Sequence, residues 1–369
     1  MNLKKKLIKI CLSCIGGILI FDFINSLKKQ KDFNVKIVGI DKDKYAHGKV
    51  LCDKFVNVCD PKEENKYIRE LVKILKKNQI DIFFPLSDKE CEIVSKNADY
   101  LKNAVKKTNF WVGKSKPNDI LISKEKFLNF CKLNKFLTEK YFIVKNYQEF
   151  RKFSLKEKNK KLILKTLLGS GSKGVYLINK ELKKNINILK GRNCYETNIH
   201  FHKKTFNGKE KFVLMPYFSG DFFDVDCIAS KGKLLDFSIR KRNNKNQFLF
   251  YSTGHVTVEN NLIKKTIKDF ILKAEIDGPC DFDVILKNKK VIIMEASARL
   301  SGSVGICSKA GINFPAQAVR KVMKLNYRPM KLKKDFTFRT FLTSDIISKK
   351  NSNIFMEYYI PYFEKQLKY

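Results

Sequence analysis

Along the first hundred positions, short apolar runs alternate with amphipathic stretches. Leu7–Cys14 reads as a buried strand, Gly16-Gly17 as a tight turn and Ile18–Lys29 as a helix. Strands at Val35–Ile40 and Phe55–Val58, a helix over Glu63–Lys77, a strand at Ile82–Pro85 and a helical stretch after Asp88 follow. Strands alternating with helices predict a parallel, doubly wound sheet whose loops at the strand C-termini are open to ligands. Gly16-Gly17 lacks the rest of a dinucleotide-binding glycine fingerprint, so it is read as a structural turn.

From about Trp111 the texture changes. Ser123-Lys124 opens a helix running to Leu133, and a strand is expected at Tyr141–Val144. Next comes KLILKTLLGSGSKGVYLI, a strand holding Lys165, a glycine-serine loop over Gly169–Gly174, and a further strand from Val175. Backbone N–H groups in such a loop can wrap phosphate oxygens while Lys165 supplies fixed positive charge, although a flexible hairpin turn has the same composition. A strand follows rather than a helix, and the GKS/T ending is missing, so the loop is not a Walker motif. Strands at Phe212–Tyr217, Phe222–Ile228 and Leu234–Arg242, a helix at Leu262–Glu275 and a closing helix at Phe314–Leu325 complete the segment.

Cys280–Arg299 carries the most chemistry. It reads as two strands, Phe282–Leu286 and Val291–Met294, joined by the polar turn Lys287-Asn288-Lys289-Lys290. Side chains alternate along a strand, which puts Glu295, Ser297 and Arg299 on one face. A three-residue turn starting at Asn288 sets Asp283 opposite Glu295, whereas two or four residues would put the carboxylates on opposite faces; three is the expectation. Two carboxylates and a hydroxyl on one face suit a hard cation such as magnesium. An ordinary amphipathic hairpin with its acids in solvent fits the same pattern.

The chain has 369 residues, enough for two or three domains, and 44% hydrophobic residues, as in a folded soluble protein. The net charge of +38 suggests nucleic acid at first sight. However, 66 of the 75 basic residues are Lys, spread over every segment, and Arg is scarce, so no specific nucleic-acid partner is expected. The ten Cys show no paired framework, and most are read as small buried hydrophobes in a reducing compartment. The N-terminus has the basic start and apolar run of a signal peptide. Lys9 interrupts that run, no small-x-small cleavage site follows, and the pattern continues as a helix, so a cytoplasmic protein without a membrane span is expected.

Five motifs stand in order: SKEKF, a strand Lys before GSGSKGV, LMPYFSGDFFDVD, GPCDFDVI and MEASAR. Together with the alternating N-terminal domain, over about residues 7–325, this order resembles the ATP-grasp superfamily, close to the carbamoyl-phosphate synthase large chain and biotin carboxylase. The resemblance implies an α/β and α+β architecture: a Rossmann-like domain (1–110), a small lobe with a glycine-rich lid (111–210), a large lobe with the metal site (211–330) and an extension (331–369). It also implies an ATP-dependent ligase joining a small carboxylate to an amine through an acyl phosphate, with magnesium or manganese. The resemblance leaves a kinase-like member, a nucleotide-binding protein without turnover, and a homodimer open. Carried over by residue, Lys124 and Lys165 contact phosphates, and Gly169, Ser170, Gly171, Ser172, Lys173 and Gly174 form the lid. Met215, Pro216 and Tyr217 belong to the adenine hinge, and Asp221 is the ribose contact. Asp283, Glu295 and Ser297 hold the metal, and Arg299 faces the transferred phosphate. Pro216 stands where the family usually carries Glu, and Ser297 where it carries Asn. Arg240 and Arg242 end a strand expected beside the hairpin, and Arg240 is assigned to the substrate carboxylate.

Overall fold

A computed structural model describes residues 5–17, 20–138, 140–167, 174–184, 186–188, 195–206, 210–217, 220–243 and 254–338. The first unit is β1 (Lys6–Leu12), α1 (Ile20–Lys28), β2 (Phe33–Asp41), β3 (Lys54–Asn57), α2 (Glu64–Asn78), β4 (Ile82–Phe84), α3 (Asp88–Lys96), α4 (Ala98–Ala104) and β5 (Asn109–Phe110). Its sheet is parallel with order β3-β2-β1-β4-β5, the doubly wound arrangement expected. Strand alternation sends Ile8, Ile10, Leu12 and Phe84 to one core and Cys11 and Phe83 to another. Both faces must therefore be covered, which is why apolar residues run consecutively through the strand centres, as in Ile10–Leu12, Ile37–Val38 and Ile82–Phe84. At the Gly16-Gly17 turn the Gly16 N–H donates to Asp41 Oδ2 at 2.7 Å.

α5 (Ser115–Ile122) and α6 (Lys124–Leu133) lead into β6 (Phe142–Val144), α7 (Tyr147–Lys156), β7 (Lys161–Thr166), β8 (Val175–Asn179), β9 (Ile186–Ile188), β10 (Tyr195–Thr197) and β11 (Phe212–Pro216). These strands form the second sheet, order β6-β11-β7-β8-β10-β9. Because β11 lies between β6 and β7, the step to the third sheet falls at 217–220 rather than at 210. Pro216 is tolerated inside this sheet because β6 pairs with β11 only as far as Leu214. The expected lid residues Gly169–Lys173 lie outside the described residues. Gly174 is described: its φ of +70° suits glycine, and a Cβ there would meet Thr166 Cγ2 at 2.7 Å.

The third sheet, order β16-β15-β12-β13-β14-β17, is antiparallel. It comprises β12 (Asp221–Ser230), β13 (Lys233–Arg242), β14 (His255–Thr257), β15 (Gly278–Lys287), β16 (Lys290–Ser297) and β17 (Thr337–Phe338), with α8 (Asn261–Lys273) between β14 and β15 and α9 (Phe314–Val322) between β16 and β17. One face is apolar: Phe223, Val225, Cys227, Ile239, Cys280, Phe282, Val284 and Ile293 share a core with Ile263, Ile267 and Phe270 of α8 and Phe127 and Leu128 of α6. α9 turns back onto the first sheet, where Phe314 and Val319 join the core of Ile8, Ile10 and Phe23. The extension expected from 331 onward begins inside the fold, since β17 pairs with β14.

Wherever the alternation was strong, the strands and helices fall within a few residues of expectation. α7 was missed although Asn146 caps it, its side chain accepting from the Glu149 N–H at 2.9 Å. Phe150, which α7 buries, packs edge-on to His202, which is fully buried between Thr197 Oγ1 (2.8 Å) and Thr205 Oγ1 (3.2 Å).

Burial lowers the His202 pKa to about 4. An unfolded imidazole titrates near ~6.5, so the unfolded chain binds the extra proton between those values. The stabilisation from keeping His202 neutral is thus complete above about pH 6.5 and lost as pH falls toward 4, the loss reaching about 2 kcal/mol by pH 5. Urea unfolding at pH 7.5 and pH 5 should show a steeper loss for the wild type than for His202→Phe; equal slopes would remove His202 from the acid sensitivity.

Candidate active site

The hairpin of β15 and β16 turns through two residues, Asn288 and Lys289, both at positive φ, with Lys287 opposite Lys290. That corrects the expected three-residue turn. A two-residue turn alone would set Asp283 against Met294 and throw Glu295 onto the apolar face. Instead the register shifts next to Asp283, so that Val284 pairs with Ile293 but Asp283 pairs with Glu295. Met294 is the extra residue of a β-bulge, and the bulge restores the facing carboxylates.

Below this pair the third sheet carries a second set of charges on the face opposite its apolar core. Asp224 stands opposite both Asp283 and Arg240, Asp226 opposite Asp281, and Arg242 opposite His255. The alternating acids of Phe223-Asp224-Val225-Asp226 and Asp281-Phe282-Asp283 place all four carboxylates on this face. Sequence reasoning passed over Asp224, Asp226 and Asp281, although this period of two was the available signal.

Each acid has a cation. Arg242 binds Asp224 through Nε (3.1 Å to both oxygens) and Nη2, and reaches Asp283 Oδ1 with Nη2 at 2.7 Å. His255 Nε2 lies 2.6 Å from Asp224 Oδ2. Burial raises the Asp224 carboxyl, but Arg242 and His255 outweigh it and hold the group well below the usual carboxylate range. For Asp283, burial pushes up, Arg242 pulls down, and Asp224 and Glu295 push up again, leaving it at about 6. Glu295 sits 3.6 Å from Lys165 Nζ. Burial raises it too, yet Lys165, Lys124 and Arg299 prevail and lower its pKa, keeping it charged at neutral pH.

A narrow cleft, open to solvent, adjoins Glu295. It is lined by Lys165, Val213 and Met215 of the second sheet, Met294, Glu295 and Ala296 of β16, and Leu121, Lys124, Phe127 and Leu128 of the two helices. Lys124, Lys165, Met215 and Glu295, separated by up to 171 positions, are thus brought together, with Asp283 across the strand from Glu295. Pro216 is buried in β11, Tyr217 packs against the main core, and Asp221 pairs with Lys241 at 2.9 Å at the end of β12; none of the three lines this cleft.

Arg240 is not where the sequence suggested. β12 and β15 lie between its strand and β16, and its side chain is fully buried. Its guanidinium is committed to Asp226, to Ser301 Oγ (2.8 Å) and to Ser303. Asp226 in turn accepts the Ser301 N–H at 2.7 Å. Arg240 therefore ties the chain leaving β16 to the sheet, with no side-chain surface left for a substrate carboxylate. Arg299, by contrast, is partly open and flanked by Asp88 (3.4 Å) and Asp281 (3.5 Å).

No group of three or more His, Cys, Asp or Glu placed to hold a metal ion occurs among the described residues. The donor set that is present, two facing carboxylates with the Ser297 hydroxyl two residues on, fits a magnesium ion that keeps its other positions for water and phosphate.

Two family models match the chain: "ATP-grasp in the biosynthetic pathway with Ter operon" over residues 208–341, and "PylC-like, N-terminal domain" over residues 12–106. The chain has the ATP-grasp fold. Among solved structures of this fold, an L-amino acid ligase from Bacillus licheniformis is 14% identical, with a TM-score of 0.62 over 88% of this chain and 76% of that one. The N5-carboxyaminoimidazole synthetase of Staphylococcus aureus in complex with ADP is also 14% identical, with a TM-score of 0.62 over 90% and 81%. Biotin carboxylase from Campylobacter jejuni, 14% identical, gives 0.60 over 88% and 73%. No curated protein matches the chain.

Removing Arg240 leaves the buried Asp226 charge without its cation. Arg240→Met should cost about 3–5 kcal/mol of stability in urea unfolding at neutral pH. A loss below about 1 kcal/mol would show that the ion pair does not hold the 301–303 segment.

Proposed function

We propose that the protein is an ATP-dependent carboxylate–amine ligase, with magnesium or manganese and ATP in the cleft between the second and third sheets. The observation that carries this reading is the Asp283–Glu295 pair, set face to face by the bulge, with Glu295 lining that cleft beside Lys165. The ATP-grasp family match supports it, and ligases are among the structures of the same fold.

In this reading the apolar wall of Leu121, Phe127, Leu128, Val213 and Met215 takes the adenine, and Lys124 and Lys165 meet the phosphates. Asp283 and Glu295, with Ser297 in reach, would hold the metal. When bound, the metal neutralises charge on the phosphate oxygens. A substrate carboxylate oxygen attacks the terminal phosphorus of ATP, the bond to the bridging oxygen breaks, and ADP leaves an acyl phosphate. An amine nitrogen then attacks the acyl carbon, gives up a proton and expels inorganic phosphate, leaving an amide. Arg299 faces the charge that moves between the two steps, where a fixed guanidinium is worth more than in water.

ADP release from ATP and magnesium, measured against pools of amino acids and small carboxylates with an amine present, is the direct test. At least one acid should raise ADP release in equal molar amount with amide. Glu295→Gln should lower that rate by about 10²-fold or more while leaving the fold intact by circular dichroism. Full activity in Glu295→Gln would remove Glu295 from the metal site.

A further inference from the structure

Arg299 lies just past the end of β16, where the strand ladder no longer holds its backbone. From its own lobe it has Asp281, 3.5 Å from Nη1, and the Leu300 carbonyl, which accepts from Nη1 at 3.0 Å. The remaining partner comes from the first domain. Asp88, the first residue of α3, approaches with Oδ1 3.4 Å from Nε and Oδ2 3.5 Å from Nη2. Asp88 Oδ1 is buried and has no hydrogen-bond partner, so Arg299 joins the N-terminus of α3 in compensating its charge.

The first domain holds Asp88 firmly. Ser87 caps α3, its Oγ accepting the Glu90 N–H at 3.3 Å and donating to Glu90 Oε2 at 2.7 Å. Glu90, buried, also accepts from Ser13 Oγ and Tyr67 Oη, both at 2.6 Å. Ser13 Oγ takes the Leu86 N–H at 2.9 Å. The loop between β4 and α3 is thus fastened to the end of β1 and to α2 by hydroxyls converging on one carboxylate. Asp88 projects from a fixed point onto a residue 211 positions away.

We infer that Asp88 is a positioning residue which the N-terminal domain supplies to Arg299, fixing the guanidinium between Asp88 and Asp281. The N-terminal domain then completes the site in addition to packing against it. The consequence for turnover rests on the ligase reading; the placement of Arg299 does not.

The test uses the full chain with two readouts. Modification of Arg299 by phenylglyoxal, followed by mass spectrometry, reports whether Asp88 holds the guanidinium. Asp88→Asn should raise that rate about fivefold, and Asp88→Glu should restore part of the protection. In ADP release, Asp88→Asn should lower kcat about tenfold or more with KM for ATP unchanged, as losses of supporting partners commonly do. Unchanged labelling of Arg299 in Asp88→Asn overturns the inference, as does a KM for ATP that rises while kcat holds. If Asp88→Asn does not fold, Asp88→Glu is labelled alone, and a rate equal to the wild type overturns it. A wild type that releases no ADP with any acid defeats the ligase reading and leaves the labelling result standing.

Discussion

The third sheet has one apolar face and one charged face, and the rest of the molecule accommodates that asymmetry. The apolar face is buried in the ordinary way by α8 and α6. The opposite face puts Asp224, Asp226, Asp281 and Asp283 on two neighbouring strands, with Asp224 directly across from Asp283 and Asp226 from Asp281. Like charges facing across a ladder are destabilising, and burial multiplies the cost. The arrangement persists because guanidinium groups are interleaved with the acids: Arg240 on Asp226, Arg242 between Asp224 and Asp283, and Arg299 beside Asp281. Their positions also fix what each can do. The pair that ends fully enclosed, Arg240 with Asp226, secures the segment after β16, while Arg242 and Arg299, with their acids, stay partly open to solvent.

How far the sequence could be read follows from the same physics. Parallel strands buried on both faces announce themselves as apolar runs, and the first sheet was readable nearly strand by strand. The opposition of Asp283 and Glu295 was anticipated for a wrong reason. A three-residue turn would have produced it, whereas the molecule uses a two-residue turn and spends the missing residue as a bulge at Met294. Turn length and bulge are interchangeable in register arithmetic, and a bulge leaves no mark in the sequence. Arg240 and Arg242 could not be separated by sequence either. They share one strand face two residues apart, and what divides them is the loop bearing Ser301 and Ser303, which covers the first and stops short of the second. Asp88 was visible only as the start of a helix, because its partner is supplied by a segment more than two hundred residues later.

The composition gains a structural meaning at this point. In a chain that uses Lys for nearly every basic position, four of its nine Arg, at 240, 242, 299 and 320, each hold an acid while largely withdrawn from solvent. Most of the Lys pairs, such as Lys42–Asp60, Lys66–Glu63 and Lys160–Glu181, are surface contacts, of the kind that contributes little to stability. The division follows from the two cations. A planar guanidinium is weakly hydrated and can donate to two acids at once, as Arg242 does to Asp224 and Asp283, whereas an ammonium is a strongly hydrated point charge. Lys165 is the informative exception. It is mostly buried and stands 3.6 Å from Glu295, too far for a hydrogen bond. A compact charge at that distance offsets the buried Glu295 carboxylate without being locked to it, whereas a guanidinium there could bind the carboxylate through two donors.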